Sequence, residues 1–192
     1  MNLKLLIVLL AAGSCNQLYS QIKKIDSTLK MGAAGYHIYC SNKGAENNIP
    51  SIKPIGFENT AQEMSFQIKG KISKAEIEDF NNDGFPDLIL YVYSGANYAF
   101  GSVIALTSNA NKTCSPIYFP DILDDAKLRV GYQGHDEFYL LEGTLMRSFP
   151  IFKTDDAKDK PTGGKRFIQY RMAPTEREGV FKFKMLRTYD TQ

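Results

Sequence analysis

Turn chemistry interrupts this chain every few residues, and between the interruptions the apolar side chains alternate with polar ones or run on unbroken for about the length of one strand. Tyr36-His37-Ile38-Tyr39 alternates. Met64 to Ile68 and Ile72 to Ile77 are separated by Lys69-Gly70-Lys71, which reads as strand, tight turn, strand. Leu88-Ile89-Leu90-Tyr91-Val92-Tyr93 is the most apolar run and fits a central strand. Gly101 to Leu106, Glu137 to Leu141, Thr144 to Phe149, Arg166 to Arg171 and Val180 to Leu186 complete a set of about eight or nine strands. Ser41 to Ile49 and Asp155 to Gly164 read as loops, Gln21 to Met31 as a lead-in, and Asp121 to Leu128 as one short helix. The expectation is an all-β domain, a single antiparallel β-barrel or β-sandwich with at most that helix. The 11 Tyr and 12 Phe lean the same way, because aromatic rings suit a half-buried pleated surface.

The first residues carry a different message. Lys4 precedes the apolar run Leu5 to Ala12, which has the length of a secretory signal and is too short to span a bilayer. Residues 1–20 are therefore expected to be an export signal and 21–192 the mature domain, periplasmic or extracellular. Cleavage between Ser20 and Gln21 is favoured. Gly13-Ser14-Cys15 offers the alternative of a lipidated Cys15 and a membrane-anchored lipoprotein, although Ala12 stands where such a site prefers Leu. Cys40 and Cys114 then remain in an oxidising compartment, either as one disulfide or as two separate thiols.

The formal net charge of +2 gives no basic excess of the kind nucleic acid or a membrane surface would select. Oligomeric state stays open between monomer and homodimer.

Three segments bear chemistry. Asp79, Asn81, Asp83 and Asp87 stand at relative positions one, three, five and nine, with Gly84 at six. That spacing lets a loop wrap a calcium ion. Leu90 occupies the twelfth position in place of a bidentate Glu, and Asn-Asp-Gly is a strong turn signal by itself, so a calcium-stabilised turn and a plain Asx-rich turn both fit. Ser94-Gly95-Ala96-Asn97-Tyr98 follows the most apolar strand as a small-residue loop with a hydroxyl and an amphipathic ring. Gly134-His135-Asp136-Glu137-Phe138 contains one of the 2 histidines. His135 and Asp136 are neighbours on an extended chain and point to opposite faces, which disfavours a Ser94–His135–Asp136 triad. No nucleophile elbow, phosphate-cradling loop or catalytic metal cluster is visible, so the chain is expected not to be an enzyme.

These stretches, taken in order with Gly35 to Tyr39, Leu145-Met146-Arg147-Ser148-Phe149-Pro150 and Thr162-Gly163-Gly164-Lys165-Arg166, resemble the periplasmic inhibitors of invertebrate-type (i-type) lysozyme. The resemblance spans about residues 35 to 170. It implies an exported inhibitor whose Ser-Gly-x-x-Tyr loop enters the substrate cleft of a lysozyme. On this chain Ser94 would bond an acid of the enzyme, Gly95 would keep the loop thin and Tyr98 would anchor it. His135 and Asp136 would form a neighbouring contact or brace the fold, while Arg147 and Arg166 would serve structural ion pairs. Asp121, Asp124, Asp125, Asp136 and Glu137 supply local acidity toward a basic target. The competing reading is an envelope-associated module for glycan or a small ligand, with the calcium-like turn as its stabiliser.

Overall fold

A computed structural model describes residues 22–58, 62–157 and 160–192. Cys15, the Ser20–Gln21 junction and the expected export signal lie outside the described residues. The strands are β1 (Ile25–Met31), β2 (Ala34–Cys40), β3 (Asn47–Asn48), β4 (Ser51–Ile55), β5 (Met64–Ser65), β6 (Ile68–Lys69) and β7 (Lys71–Glu78). They continue as β8 (Asp87–Ser94), β9 (Phe100–Asn109), β10 (Thr113–Tyr118), β11 (Glu137–Leu141), β12 (Thr144–Pro150), β13 (Lys165–Pro174) and β14 (Phe181–Thr191).

The all-β expectation holds. Eight strands form a curled half-barrel in the order β11-β12-β13-β14-β10-β9-β8-β7. Four more, in the order β1-β2-β4-β5, form a second sheet, and β3 pairs with β6. The half-barrel does not close on itself, since β11 and β7 are its two edges. All its pairings are antiparallel except that of β10 with β14, which is parallel and covers only Ile117↔Phe181 and Tyr118↔Lys182. Pro116, which has no N–H for a ladder, immediately precedes that short contact.

The unbroken run in β8 has a simple cause. Leu88, Leu90 and Val92 face a core shared with Tyr36, Ile38 and Ile52 of the second sheet. Ile89 and Tyr91 face a separate core inside the curl, with Val103, Leu145, Phe149, Ile168 and Phe183. A strand buried on both faces cannot alternate with polar residues. Each fully buried Leu or Ile contributes roughly 1.5–3 kcal/mol, so β8 anchors both layers.

Three local expectations are revised. The lead-in becomes β1, an edge strand whose residues alternate between half-buried and exposed. The loop expected from Ser41 to Ile49 contains the short β3, and β4 follows it. The expected helix shrinks to a single 3-10 turn, Ile122–Asp124. Asp121 caps that turn by accepting from the Leu123 N–H at 2.9 Å, and Asp125 accepts from Lys127 at 2.9 Å and Leu128 at 3.0 Å. Such side-chain bonds to nearby amides compete with helix propagation.

Candidate functional site

The hairpin that contains the longest apolar strand ends in residues 95–99, and this loop holds an unusual backbone. Gly95 has φ 77 and ψ −179, a region that is in practice open to glycine alone. A Cβ at Gly95 would also meet the Phe100 ring at 2.7 Å. Asn97 and Tyr98 both have φ 55, so two successive residues with side chains occupy the left-handed region. Gly95, Ala96 and Asn97 are exposed, while Ser94 and Tyr98 are half-buried. The Ser94 hydroxyl makes a long contact of 3.5 Å to the Phe100 carbonyl. Lys71 Nζ lies 5.4 Å from the centre of the Tyr98 ring.

The segment Gly134-His135-Asp136 lies against this loop. The His135 N–H donates to the Ala99 carbonyl. Gly134, at φ 88, passes so close that a Cβ would sit 2.5 Å from the same oxygen. Asp136 reaches under the loop: its Oδ2 accepts from the Gly101 N–H at 2.8 Å and from the Tyr132 hydroxyl at 2.6 Å, and its Oδ1 accepts from Arg147 Nε at 2.7 Å. The side chains of Arg147 and Asp136 are 3% and 0% exposed. Rings of Phe119, Tyr132, Phe138 and Phe149 surround the guanidinium at 5.3 to 5.7 Å. Burial opposes the Arg147 charge, but the Asp136 carboxylate more than offsets it and holds the guanidinium above its usual pKa.

Of the two readings for Asp136, a contact or a brace of the fold, the geometry favours the brace: it is buried and bonded to Gly101, Tyr132 and Arg147 of its own chain, and it adds nothing to surface acidity. His135 and Asp136 do diverge: His135 is exposed, with its ring 6.1 Å from that of Phe152. Ser94, Gly95, Tyr98 and His135 thus share one end of the half-barrel. Arg147 and Arg166 both make ion pairs, the latter with Asp190 at 2.8 Å. Tyr132 and the aromatic ring set were missed because their side chains converge only in the folded chain.

Asp79, Asn81, Asp83 and Asp87 occupy the β7–β8 turn. Asp79 accepts from the amides of Asp83 at 3.0 Å and Gly84 at 2.8 Å. Asn81 donates to Asp83 at 2.8 Å, and Asp83 accepts from the Phe85 amide at 2.9 Å. Asp87, which is fully buried, accepts from the amides of Phe80 at 2.9 Å and Ser108 at 3.0 Å. Burial raises its pKa to about 6 even against these bonds. The four side chains knit a turn. Among the described residues no group of three or more His, Cys, Asp or Glu is arranged to hold a metal.

Of the two readings for Cys40 and Cys114, the structure has the separate thiols. Cys114 Sγ lies 3.8 Å from the Tyr36 hydroxyl, and Tyr36 is four residues, about 13 Å, along β2 from Cys40. Burial pushes the Cys114 thiol up, against a lowering contribution from the Tyr36 hydrogen bond.

A cleft of about 620 Å³ opens beside the loop, and Ser94, Gly95, Phe100, Tyr118, Leu123 and Arg147 are among the residues lining it.

Fold and site together define an all-β half-barrel that presents a braced, backbone-strained loop at one end. No family model and no curated protein matches the chain. Among solved structures it is similar to a Xanthomonas type IV secretion system related protein. The TM-score is 0.43 and the identity 12%, covering 88% of this chain and 82% of that one.

Proposed function

We propose that this chain is an exported lysozyme inhibitor that acts by inserting the loop Ser94–Tyr98 into the active-site cleft of an i-type lysozyme, and that it catalyses no reaction of its own. The observation that carries the reading is the loop itself. Its tip is exposed, its backbone is held in conformations that cost about 1–3 kcal/mol each, the His135 amide holds the Ala99 carbonyl, and a buried carboxylate holds Gly101 in the strand that follows. Strain of that kind persists where a surface must be presented in one shape, and preorganisation limits the entropy lost on association.

In this reading Ser94 donates its hydroxyl proton to a carboxylate of the enzyme, a charge-assisted bond. Tyr98 supplies the aromatic anchor, and Gly95 allows the chain to turn without a side chain at the tip. The two acceptors of greatest interest on the enzyme are its own acids, so occupancy excludes substrate by competition. Protection of peptidoglycan in the cell envelope follows from that. His135 stands beside the loop as a rim contact.

The test is inhibition of i-type, c-type and g-type lysozymes by residues 21–192, with Ser94→Ala/Tyr98→Ala alongside. Inhibition of the i-type enzyme, weakened at least about thirtyfold in the double variant, is the expected result. A folded protein that slows none of the three at micromolar concentration refutes the proposal. Undiminished inhibition by the double variant removes the loop from it.

A further inference from the structure

The half-barrel is split beside the loop. The β9–β10 ladder runs from Asn109↔Thr113 to Ala105↔Ile117 and stops there, one residue before β10 ends at Tyr118. Strand β9 continues to Phe100, still paired with β8 from Leu106↔Leu88 to Phe100↔Ser94. Backbone groups of alternate residues point to the same edge of a strand. Ala105 faces Ile117 across the ladder, and the Gly101 N–H faces away from β8 to reach Asp136. Val103 lies between them, so its N–H and C=O, with the Gly101 C=O, point into the split. Among the described residues no hydrogen bond fills these positions.

Two hollows flank the split. One is the cleft of about 620 Å³; the other is an apolar groove that includes Val103 and Ile104, and the two share Tyr118 and Phe119. Large apolar side chains at the mouth are exposed: Phe100 by 45%, Tyr118 by 57% and Leu123 by 53%.

We infer that this edge of β9 is a receptor for a short extended peptide, which adds as a strand against Gly101–Val103 between Phe100 and Tyr118. The occupant follows from what is left unpaired. An acceptor at Gly101 and a donor and acceptor at Val103 have the spacing of an antiparallel ladder, and a peptide backbone supplies the complement. About three residues, at roughly 3.4 Å each, span from Phe100 to Val103. Alternate peptide side chains would meet the cleft and the apolar groove. Arg147 is neutralised by Asp136, and the cleft otherwise carries Glu46 and Asp121 against Lys69, which favours a peptide with a basic residue. The inference does not depend on the loop's being a lysozyme inhibitor.

The probe is acetyl-Lys-Val-Thr-Val-Thr-amide added to the isotope-labelled protein, with amide hydrogen exchange read residue by residue. Saturating peptide should slow exchange at Val103 by about tenfold or more. The same peptide N-methylated at all five residues cannot form the ladder from either edge and should leave that rate unchanged. Val103→Pro removes the donor on the open edge and should abolish binding. Because proline can also disturb β9, Phe100→Ala is the second variant, expected to weaken binding about tenfold with an unchanged urea midpoint. Three results overturn the inference: no slowing at Val103, equal slowing by the N-methylated peptide, or slowing by tri-N-acetylchitotriose and not by the peptide.

Discussion

Replacing Asp136 by Ala should be among the most damaging single substitutions outside the apolar cores. The change strands three groups at once: the Arg147 guanidinium, 3% exposed in its side chain; the Gly101 amide; and the Tyr132 hydroxyl. Leaving one member of a buried ion pair without its partner costs about 3–5 kcal/mol. Each stranded neutral donor adds about 1 kcal/mol where water cannot replace the bond. These terms overlap, so the expected loss is about 4 kcal/mol in urea unfolding, a large part of the stability of a domain this size. The double variant Asp136→Ala/Arg147→Met separates the charge from the bonds. With the cation gone, an apolar side chain fits among Phe119, Phe138 and Phe149, and about half of the loss should return. A loss below about 1 kcal/mol for Asp136→Ala, or a double variant whose loss equals the sum of the two single losses, would refute the brace.

Three further outcomes follow from the same geometry. Gly95→Ala places a methyl group 2.7 Å from the Phe100 ring at a backbone conformation reserved for glycine. It should lower stability by about 1–3 kcal/mol, shift the loop resonances and abolish lysozyme inhibition, whereas Ala96→Gly should leave inhibition intact. Asp87 holds its proton more tightly when folded, with a pKa of about 6 against 3.8. Its contribution is therefore complete below pH 3.8 and is lost as the pH rises through 6, roughly 3 kcal/mol in all, and Asp87→Asn should flatten that slope in urea titrations. Asp79→Ala removes the acceptor for two turn amides and should cost about 1–2 kcal/mol. A melting temperature that rises with millimolar calcium in the wild type and not in this variant would add a cation to the turn.

What was legible in the chain depended on how local its cause was. The β8 run could be read because burial on both faces leaves a mark in six consecutive side chains. The turn from Asp79 to Asp87 could be read because all its bonds but that of Asp87 to Ser108 close within nine residues. β1 was not legible: an edge strand with one half-buried face carries Asp26, Thr28 and Lys30 on the other, and looks polar. The helix expected at Asp121–Leu128 failed for a local reason of similar size, the capture of amides by Asp121 and Asp125. In the candidate site, Ser94, Gly95 and Tyr98 stood out as a small-residue loop, but their backbone strain did not. The brace was hidden because Asp136 meets Gly101 across 35 positions and Arg147 across 11. Two adjacent residues, His135 and Asp136, had opposite fates, one at the surface and one in the core; their divergence could be argued from the chain, but not which of them turns inward.

Gly101 joins the loop to the split in the sheet. Its amide faces the edge where β10 would have continued, and the Asp136 carboxylate takes the place of the missing strand at that one position. A carboxylate that is itself held by Arg147 and Tyr132 is a permanent cap, not a frayed end. An unprotected β edge invites indiscriminate pairing, and inward-pointing charge is one way of limiting it. Here the cap covers Gly101 and leaves Val103 open. The ladder is therefore interrupted over a length set by the fold, between a closed position at Gly101 and a paired one at Ala105. A defined opening of that kind, flanked by Phe100 and Tyr118, is what a selective site requires and what an accidental gap between strands would lack.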